Sequence, residues 1–435
     1  MNLSYRNKIF IDHSLGTLAA LFLKALSKIL TLILDRDHAI PASPKCIVVA
    51  KLVGLGSIVY AGSLCRSLKE RYPESKLVFI TGIECGELVN RFNGVDQVLC
   101  LDARSFFSIL KSSTRIIMSM WRYRPDLYFD LEVYSSFSAI LATLSLAINR
   151  YGFYRKSAGF KRNLHTHMIF FNTHRHIIEI YNQMGKCVKA NELKNIRNVY
   201  GVTDEDHAEC ADMLRKMGLS NRRLMLVNMN ASELLLERRW PGEYWAELLE
   251  KLSERFPEYL ILLTGSSKER SFVESVYGSL KEEAGEKVHN VAGKLSLGGF
   301  LGLIICSDLL ITNDSGPLHI AVAQGKPTVS LWGPGSPESY GPRTGRHEVI
   351  YTQTYCSPCL YHADFPPCEG DNVCMKRTTV QTVFHAVERI LQKKTGGEIE
   401  KQREDGEERI NLVCNYLADY SPVMFHKNYE NNGNS

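Results

Sequence analysis

Short apolar runs alternate with longer amphipathic segments along most of this chain. From Cys46 onward, each run rich in Val, Ile and Leu is followed by a segment whose apolar residues have helical spacing. Such alternation is typical of a parallel sheet with helices on both faces. The first series predicts strands at "CIVVA", "KLVFITG", "VDQVLCLD" and "DLYFDLE" and helices over Ile58–Tyr72, Cys85–Phe92, Ser105–Tyr123 and Ser136–Ala147.

A second series starts near Arg223 and repeats the alternation. It predicts strands at "LMLVNMN", "YLILLTG", His289–Val291, Leu309–Thr312 and Thr328–Trp332, with helices over Tyr244–Arg255, Lys268–Ala284 and Phe300–Cys306. Two series of similar size predict two doubly wound α/β domains, residues 45–205 and 206–392, joined by the helical segment Thr203–Ser220. Residues 1–44 form an N-terminal segment, and residues 393–435 form a charged linker and tail whose end, "KNYENNGNS", is predicted to be disordered.

A cluster of polar residues interrupts the stretch "LLITNDSGPLHIAVAQGKPTVSLWGP". The strand before it ends at Thr312, and Pro317 presets φ for the first turn of a helix. Residues 313–316 are therefore predicted to form a strand-to-helix turn inside a βαβ unit. Ligands bind at such turns, because free N–H groups and the positive end of the helix dipole attract anions such as phosphates. The N–H groups expected to be free belong to Ser315, Gly316 and Leu318.

Composition narrows the class of protein. The chain has 435 residues, of which 45% are hydrophobic and 23% charged, as in ordinary globular proteins rather than disordered or fibrous ones. A net charge of +5 with scattered basic residues gives no support for nucleic-acid binding. Eight of the twelve cysteines are dispersed through apolar or helical surroundings, which suits a reducing cytoplasm.

The N-terminal segment contains an apolar run, Leu15–Leu34, that resembles a signal anchor. Two lysines inside the run make a true membrane span costly. With two threonines they form a polar stripe at helical spacing, which predicts an amphipathic helix that contacts an anionic membrane surface. Docking on the protein's own surface and a membrane span are the alternatives. The stripe consists of Thr17, Lys24, Lys28 and Thr31.

Several motifs in order resemble glycosyltransferase family 9, the bacterial heptosyltransferase family. "DSGPLH" from Asp314, followed by an Ala-rich helix, "GKP" and "WGP", is similar to that family's donor-binding signature. "RRWPGEYWAELLEKL" from Arg238 is similar to its Arg/Lys-x-Trp-Pro element, and "LTGSSKER" matches a pattern whose glutamate, here Glu269, contacts the nucleotide ribose. The resemblance covers about residues 45–395 and implies a GT-B fold, with two Rossmann-like domains that face a cleft.

The resemblance implies an inverting glycosyltransferase that requires no metal and no cofactor. The first domain would bind a lipid-linked or oligosaccharide acceptor, such as a cell-surface glycan, and the second an NDP-sugar donor, with ADP-heptose as one candidate. The second domain contains no Asp-x-Asp sequence of the kind that chelates a divalent ion. The predicted donor site comprises Asn230, Ser232, Arg238, Arg239, Gly265, Glu269, Asp314, Ser315, Gly316, Pro317, Leu318 and His319.

The chemistry of several of these side chains predicts a role for each in binding the donor. Arg238 or Arg239 would hold the diphosphate, Glu269 would accept ribose hydroxyls, and His319 would donate to a phosphate oxygen. Each has a structural alternative. The histidine would be a buried helix residue, the glutamate a first-turn carboxylate that interacts with the helix dipole, and the arginine a solvated side chain.

The first strand-to-helix turn of the chain departs from the family pattern. Family members carry Gly-Asp there, and the aspartate is their proposed general base, whereas this chain has Gly56-Ser57. A serine does not remove a proton at neutral pH without help, so Asp130 and Glu132 are predicted as substitutes, with Ser57 kept as a catalytic candidate. The two acids lie two residues apart at a strand end and are expected to share a face. The alternatives are a loop-capping aspartate and a solvated glutamate.

Four cysteines cluster in the loop before the last helix, in the pattern Cys356-x2-Cys359-x8-Cys368-x5-Cys374. Cys-x-x-Cys is a common half-site for zinc, although the wider second spacing departs from standard zinc ribbons. Reduced thiols or a disulfide that packs the loop are favoured over a metal, and no metal ligand is assigned.

Two other functions fit the same architecture. A nucleotide-sugar epimerase or hydrolase would need no acceptor, and an inactive sugar-nucleotide-binding subunit of a membrane glycan-assembly complex would perform no transfer. The predicted location is cytoplasmic, peripheral at the inner face of the cytoplasmic membrane.

Overall fold

The computed structural model describes residues 12–33, 37–161, 163–220, 222–231, 236–360, 368 and 370–392, with the backbone alone for residues 13, 15, 26–33, 157 and 160. The chain forms two compact units, each with its own parallel sheet. Among the described residues, the first unit contains those up to Val53 and Tyr60–Lys194. The second contains Gly54–Val59 and the residues from Asn195 onward. The predicted tail, residues 393–435, lies outside the described residues.

Six parallel strands form the sheet of the first unit in the order β3-β2-β1-β4-β5-β6. This is the Rossmann order, in which the chain reverses its direction across the sheet between β1 and β4. β1 is buried along its whole length, which explains its unbroken apolar sequence. The strands are β1 (Cys46–Ala50), β2 (Lys76–Gly82), β3 (Gln97–Leu101), β4 (Leu127–Asp130), β5 (Asn149–Tyr154) and β6 (His167–Phe170). The sequence did not predict β5 and β6, because β5 mixes polar and apolar residues in "NRYGFY" and β6 has only four residues.

The helices of the first unit follow the predicted order with shifted ends. Ser105 caps one of them by accepting a hydrogen bond from the Ser108 N–H, so that the helix begins at Phe106. The predicted helix Cys85–Phe92 is wrong in type and length. A 3₁₀ turn over Ile83–Cys85 is followed by a single α-helical turn, Gly86–Val89. The helices are α1 (Thr17–Ile33), α2 (Leu55–Arg71), α3 (Gly86–Val89), α4 (Phe106–Tyr123), α5 (Ser136–Leu144) and α6 (Ile177–Lys186), with a π-helical segment at Asp12–Gly16 and a 3₁₀ segment at Lys156–Lys161. The first residues of α2, up to Val59, belong to the second unit.

The N-terminal helix α1 docks on the first unit. Ala20 is buried against Ala139 of α5 and Leu164, and the Thr17 hydroxyl lies 3.2 Å from that of Ser136. Thr17 therefore faces the protein, which agrees with the docking alternative for this helix. Lys28 and Thr31 lie where only the backbone is described. Within the described ranges no helix is both long and apolar enough to cross a membrane.

The second unit repeats the same sheet order, β9-β8-β7-β10-β11-β12 from edge to edge. All five neighbouring pairs run parallel, and the direction reverses between β7 and β10. The predicted pair of doubly wound domains is thus confirmed. The strands are β7 (Arg223–Asn228), β8 (Tyr259–Leu263), β9 (Val288–Asn290), β10 (Leu309–Asn313), β11 (Thr328–Trp332) and β12 (His347–Tyr351), of which β12 was not predicted.

The helices of the second unit confirm most of the predicted positions. Thr203 and Asp206 form a capping box at the start of the connecting helix. The predicted helix Lys268–Ala284 is broken after Tyr277, because the sequence Gly278-Ser279 favours a break. The helices are α7 (Asp204–Lys216), α8 (Gly242–Arg255), α9 (Arg270–Tyr277), α10 (Glu282–Gly285), α11 (Leu297–Cys306), α12 (Gly316–Ala323), α13 (Pro337–Tyr340), α14 (Val373–Lys376) and α15 (Val380–Gln392), with 3₁₀ turns at Leu236–Arg238 and Ser267–Glu269.

Candidate functional site

Polar residues collect at the carboxyl ends of β7 and β10, where the second sheet reverses its strand order. Asn313 is the last residue of β10, and its side-chain amide donates to the carbonyl oxygens of Met229, at 2.9 Å, and Asn230, at 3.3 Å. The Asn230 amide in turn donates to the Thr264 carbonyl oxygen after β8, at 3.2 Å. These bonds hold three strand ends together at the place where open α/β sheets bind ligands.

Gly265 allows the Asn230 side chain to occupy this position. A Cβ atom on Gly265 would lie 2.7 Å from the Asn230 Nδ2 atom, too close for any larger residue. The Oδ1 atoms of Asn230 and Asn313 are buried and accept no hydrogen bond from any residue that the structure describes. Buried acceptors of this kind are uncommon in proteins. The predicted role of Ser232 is untested, since Ser232 lies outside the described residues.

Asp314 and Arg238 form the charged centre of the turn. The Arg238 Nε atom lies 3.5 Å from the Asp314 Oδ2 atom, and the Nη1 atom donates to the Asp314 carbonyl oxygen at 3.4 Å. Burial raises the pKa of the Asp314 carboxyl above its usual value, while Arg238 acts in the opposite direction. The Arg238 side chain is 21% exposed, so part of the guanidinium remains open to a ligand.

The tryptophan that follows the two arginines fixes their place. Trp240 is fully buried, donates from its indole N–H to the Thr378 carbonyl oxygen at 2.9 Å, and packs edge-on against Trp245. This anchor positions the 3₁₀ turn that ends at Arg238. The Arg239 guanidinium instead stacks over the Phe272 ring at 4.6 Å. The structure therefore brings only the first of the two arginines to Asp314.

Helix α12 begins without a side-chain cap. Ser315 occupies the N-cap position, but its hydroxyl lies 3.0 Å from the Thr312 hydroxyl and caps no backbone N–H. The Leu318 N–H donates to the Ser315 carbonyl oxygen at 3.2 Å, so the prediction that this N–H is free is wrong. Pro317 lies in the first turn as predicted. The first N–H groups and the helix dipole still favour an anion at this end.

His319 is a buried neutral imidazole beside the turn. Burial, assisted by Arg238, lowers the pKa of His319 to about 3. The His319 Nε2 atom lies 4.0 Å from the Asp314 Oδ1 atom. A neutral imidazole carries one N–H, so it can still donate one hydrogen bond to a phosphate oxygen.

Glu269 has the geometry of a helix cap. Its Oε2 atom accepts hydrogen bonds from the N–H and the hydroxyl of Ser266, both at 2.8 Å, in a capping box. The structural alternative for this residue is therefore observed. The Oε1 atom takes no part in the capping box, and the ribose contact stays a prediction.

Gly335 is a residue of this site that the sequence analysis missed. A Cβ atom on Gly335 would lie 2.2 Å from the Asp314 Oδ2 atom, so only glycine lets the loop after β11 pass the carboxylate. The sequence signal was the stretch "WGPG", which begins at Trp332, the last residue of the buried strand β11. Gly335 is the second glycine of this stretch.

In the first unit, Asp130 ends β4 and is enclosed by polar partners. Its Oδ2 atom lies 3.1 Å from the Lys161 Nζ atom and 3.0 Å from the His165 Nε2 atom, and its Oδ1 atom accepts from the Ser138 hydroxyl. Burial alone would raise the pKa of Asp130, but Lys161, His165 and Ser138 together hold it well below its usual range. The carboxylate is fully buried, which makes it a weak base without access to solvent. Lys161 and His165 were not predicted, because they lie far from Asp130 in the sequence.

Glu132 joins the ends of β1 and β4. Its Oε1 atom accepts from the N–H groups of Leu52, at 2.7 Å, and Val53, at 3.1 Å, and its Oε2 atom forms an ion pair with Lys51 at 2.8 Å. β4 ends at Asp130, so the strand alternation that placed both acids on one face does not extend to Glu132. Glu132 lies at the switch point of the first sheet, as Asp314 does in the second.

Ser57 lies in the first turn of α2. Its hydroxyl donates to the Gly54 carbonyl oxygen at 2.8 Å, and the φ of +89° at Gly54 is one that glycine adopts without strain. This serine stabilises the turn, and its catalytic role stays a prediction.

The four clustered cysteines are not joined as disulfides. Burial, followed by the neighbouring thiols, raises the pKa of Cys359 to about 11. Among the described residues no three Cys, His, Asp or Glu side chains are arranged to hold a metal ion.

Comparison with known proteins identifies the class of this two-domain protein. A family model, glycosyltransferase family 9 (heptosyltransferase), matches residues 124–367, more than half of the chain, and the chain belongs to this family. The predicted family is thus confirmed, as is the prediction that the protein is an enzyme of the glycosyltransferase class.

Named relatives agree with this assignment. The chain is 25% identical over 305 residues to lipopolysaccharide heptosyltransferase 2 of Salmonella typhimurium, which covers 68% of this chain and 85% of the relative. Its fold is similar to that of a family 9 glycosyl transferase from Veillonella parvula, with a TM-score of 0.68, 20% identity and coverage of 82% of this chain and 100% of the other. It is also similar to the E. coli ADP-heptose lps heptosyltransferase II structure, with a TM-score of 0.64, 21% identity and coverage of 80% and 99%. The comparisons favour neither the epimerase or hydrolase alternative nor the inactive subunit.

Proposed function

We propose that the protein transfers a heptose or a related sugar, with inversion, from an ADP-sugar to a lipid-linked glycan acceptor of the lipopolysaccharide core type. The observation that carries the donor half is the contact between Arg238 and Asp314 at the start of α12, at the switch point of the second sheet. The relative in E. coli is named for ADP-heptose and lipopolysaccharide, which supports this choice of donor and acceptor.

The donor's diphosphate would bind at the N-terminus of α12. The part of Arg238 that remains exposed and the helix dipole together supply positive charge for the leaving diphosphate. The neutral His319 would donate one hydrogen bond to a phosphate oxygen. Because these groups stabilise the leaving group without an ion, the transfer is proposed to be metal-independent.

The nucleoside would lie over the ends of β7 and β8. The Oε1 atom of Glu269 would accept hydrogen bonds from the ribose hydroxyls, and Asn230, whose Oδ1 atom is buried, would hold the strand ends beneath the nucleoside. These contacts are specific for the nucleotide and leave the sugar free to react.

Of the two predicted acids, we propose that Glu132 is the general base. Among the described residues, Lys51 is the one hydrogen-bond partner of the Glu132 Oε2 atom, which leaves a lone pair for an acceptor hydroxyl. Asp130 has no exposed surface, and its depressed pKa opposes proton uptake. It would instead hold Lys161, whose Nζ atom also donates to the carbonyl oxygen of Glu132.

Incubation of the purified protein with ADP-heptose and a heptose-free lipopolysaccharide core tests this function. The expected result is release of ADP that requires the acceptor and persists in a metal chelator. Release of ADP or epimerisation without acceptor would favour the epimerase or hydrolase alternative. Nucleotide binding without turnover in the presence of any acceptor would favour the inactive subunit.

A further inference from the structure

Helix α4 (Phe106–Tyr123) of the first unit exposes several large apolar residues and buries two of its serines. Ser112 and Ser113 are buried together with Ile116 and Met120. The opposite side presents residues that an amphipathic helix normally buries, with exposures of 81% for Phe107, 57% for Leu110, 61% for Met118 and 52% for Trp121.

These four side chains form one stripe along the helix. Their positions are spaced at i, i+3, i+11 and i+14, which places them on one side at 3.6 residues per turn. From Phe107 to Trp121 the stripe is about 21 Å long at 1.5 Å per residue. A row of large exposed apolar residues of this kind is more typical of an interaction surface than of a solvent-facing helix.

Hydrogen bonds on the buried side of α4 explain how two serines are accommodated in the interior. The Ser112 hydroxyl donates to the Ser108 carbonyl oxygen at 2.7 Å and accepts from the Asp102 N–H at 3.1 Å. The Ser113 hydroxyl donates to the Ile109 carbonyl oxygen. The buried hydroxyls are therefore satisfied within the unit, and the outward residues are not required for its core.

Positive charges lie along one edge of the stripe. Lys111, Arg115 and Arg122 are all exposed and share the next row of the helix surface. The helix contains no acidic residue, and no ion pair forms at any of the three within the described part of the chain. Apolar and aromatic residues flanked by cations are the pattern of helices that lie in the interface of an anionic membrane.

The patch continues beyond α4. The Trp121 indole N–H donates to the Leu144 carbonyl oxygen at 2.8 Å, which fixes the ring beside the turn that follows α5. Leu146, in that turn, is 55% exposed. Helix α1 packs on α5 as α4 does, and it exposes Leu18 and Phe22.

We infer that the outer face of α4 is a docking surface for an anionic lipid bilayer. Phe107, Leu110, Met118 and Trp121 would enter the headgroup region, while the three cations would bind anionic headgroups. A second copy of this chain would bring the same row of cations against itself, which opposes self-association through this face. The inference extends the proposed function, since it would bring the enzyme to the surface that carries a lipid-linked acceptor, but its test needs no turnover.

Trp121 provides a native probe, because the other three tryptophans, Trp240, Trp245 and Trp332, are fully buried. On addition of phosphatidylglycerol-containing vesicles to the full-length protein, its fluorescence is expected to shift to shorter wavelength and to be quenched by brominated acyl chains. Pure phosphatidylcholine should give a much smaller change, and Trp121→Phe should abolish the signal while the protein still sediments with vesicles.

Substitutions separate the contributions of the apolar and of the charged residues of α4 to vesicle binding. The double variant Phe107→Ser/Leu110→Ser should lower vesicle affinity at least about tenfold. Replacing Lys111, Arg115 and Arg122 with Gln should lower affinity for anionic vesicles about a hundredfold and remove its salt dependence. The matched control, Arg215→Gln/Lys216→Gln on the exposed side of α7, should bind vesicles like the parent. Nucleotide affinity should remain unchanged in all of them, which separates this result from a failure of the proposed donor site.

Three results would overturn the inference. The first is a parent protein that does not bind anionic vesicles. The second is unchanged binding in both α4 variants while Leu18→Ser/Phe22→Ser on α1 abolishes it. The third is a parent dimer that Phe107→Ser converts to a monomer, with no effect on vesicle binding, since this would identify a second copy of the chain as the occupant.

Discussion

The Arg238 guanidinium lies 3.5 Å from the Asp314 carboxylate, and the two residues meet at the carboxyl ends of the paired strands β7 and β10. Arg238 is held by the buried Trp240 anchor, and Asp314 by the turn between β10 and α12. Each partner is thus fixed by its own backbone element, so the pair is organised before a ligand arrives. Preorganised charge of this kind is what a diphosphate site requires.

The first prediction concerns Gly335. Gly335→Ala should weaken ADP binding about ten- to a hundredfold, because the added Cβ atom would displace the Asp314 carboxylate from Arg238. Isothermal titration calorimetry measures the affinity. Gly201→Ala is the matched control, since no atom of the described residues other than its chain neighbours lies within 4 Å of the added Cβ atom, and it should bind ADP like the parent. Equal affinities in the two variants would place the nucleotide elsewhere.

The second prediction concerns Arg238. Arg238→Gln should reduce ADP affinity by about 1.5–3 kcal/mol, the usual contribution of a charge-assisted hydrogen bond. The variant should also show a weaker dependence of affinity on salt. Arg270→Gln, which removes an exposed arginine paired with Glu274, should leave both properties unchanged. Parental affinity in Arg238→Gln would remove this residue from the donor site.

The third prediction separates the two acids of the first unit. Glu132→Gln should lower turnover about 10²- to 10⁴-fold while ADP affinity stays parental, as expected for loss of a general base. Ser57→Ala should turn over normally. Steady-state rates and ADP titrations on protein with a native circular dichroism spectrum measure these effects. Normal turnover in Glu132→Gln with an inactive Ser57→Ala would show that Glu132 is not the base.

Asp130 should instead affect folding. Its folded pKa lies below the unfolded value of about 3.9, so its contribution to stability is complete above pH ~4 and is lost as the pH falls further. Asp130→Asn leaves Lys161 unpaired in the interior and should lower the free energy of unfolding by about 3–5 kcal/mol near neutral pH. Urea unfolding at several pH values tests this. Parental stability in the variant would contradict a structural role.

The fourth prediction concerns the buried imidazole of His319. Its folded pKa of about 3 lies below the unfolded value of about 6.5, so its contribution to stability is complete above pH 6.5 and falls by about 1.4 kcal/mol per pH unit below that. His319→Gln should therefore reduce the slope of unfolding free energy against pH between 4 and 6 by about one proton. His385→Gln, at an exposed histidine, is the control. An unchanged slope in His319→Gln would mean that this imidazole titrates normally.

The sequence by itself determined the two Rossmann-like domains and the donor turn. Both depend on local patterns: the apolar runs that became buried strands such as β1 and β10, and the Pro317 that starts α12 directly after a strand end. A parallel strand followed by a helix places its turn at the carboxyl edge of the sheet, so the location of the site follows from the order of elements.

Only the tertiary structure determined the environments of Asp130 and Glu132 and which face of α4 is buried. Asp130 lies 31 residues before Lys161 and 35 before His165, and the fold brings all three together in the interior. Periodicity indicates that α4 has an apolar side, but not that Ser112 and Ser113 would pack inward and Phe107 outward. That choice depends on the space and the hydrogen-bond partners that neighbouring elements provide, and neither is encoded in the spacing of residues along a single helix.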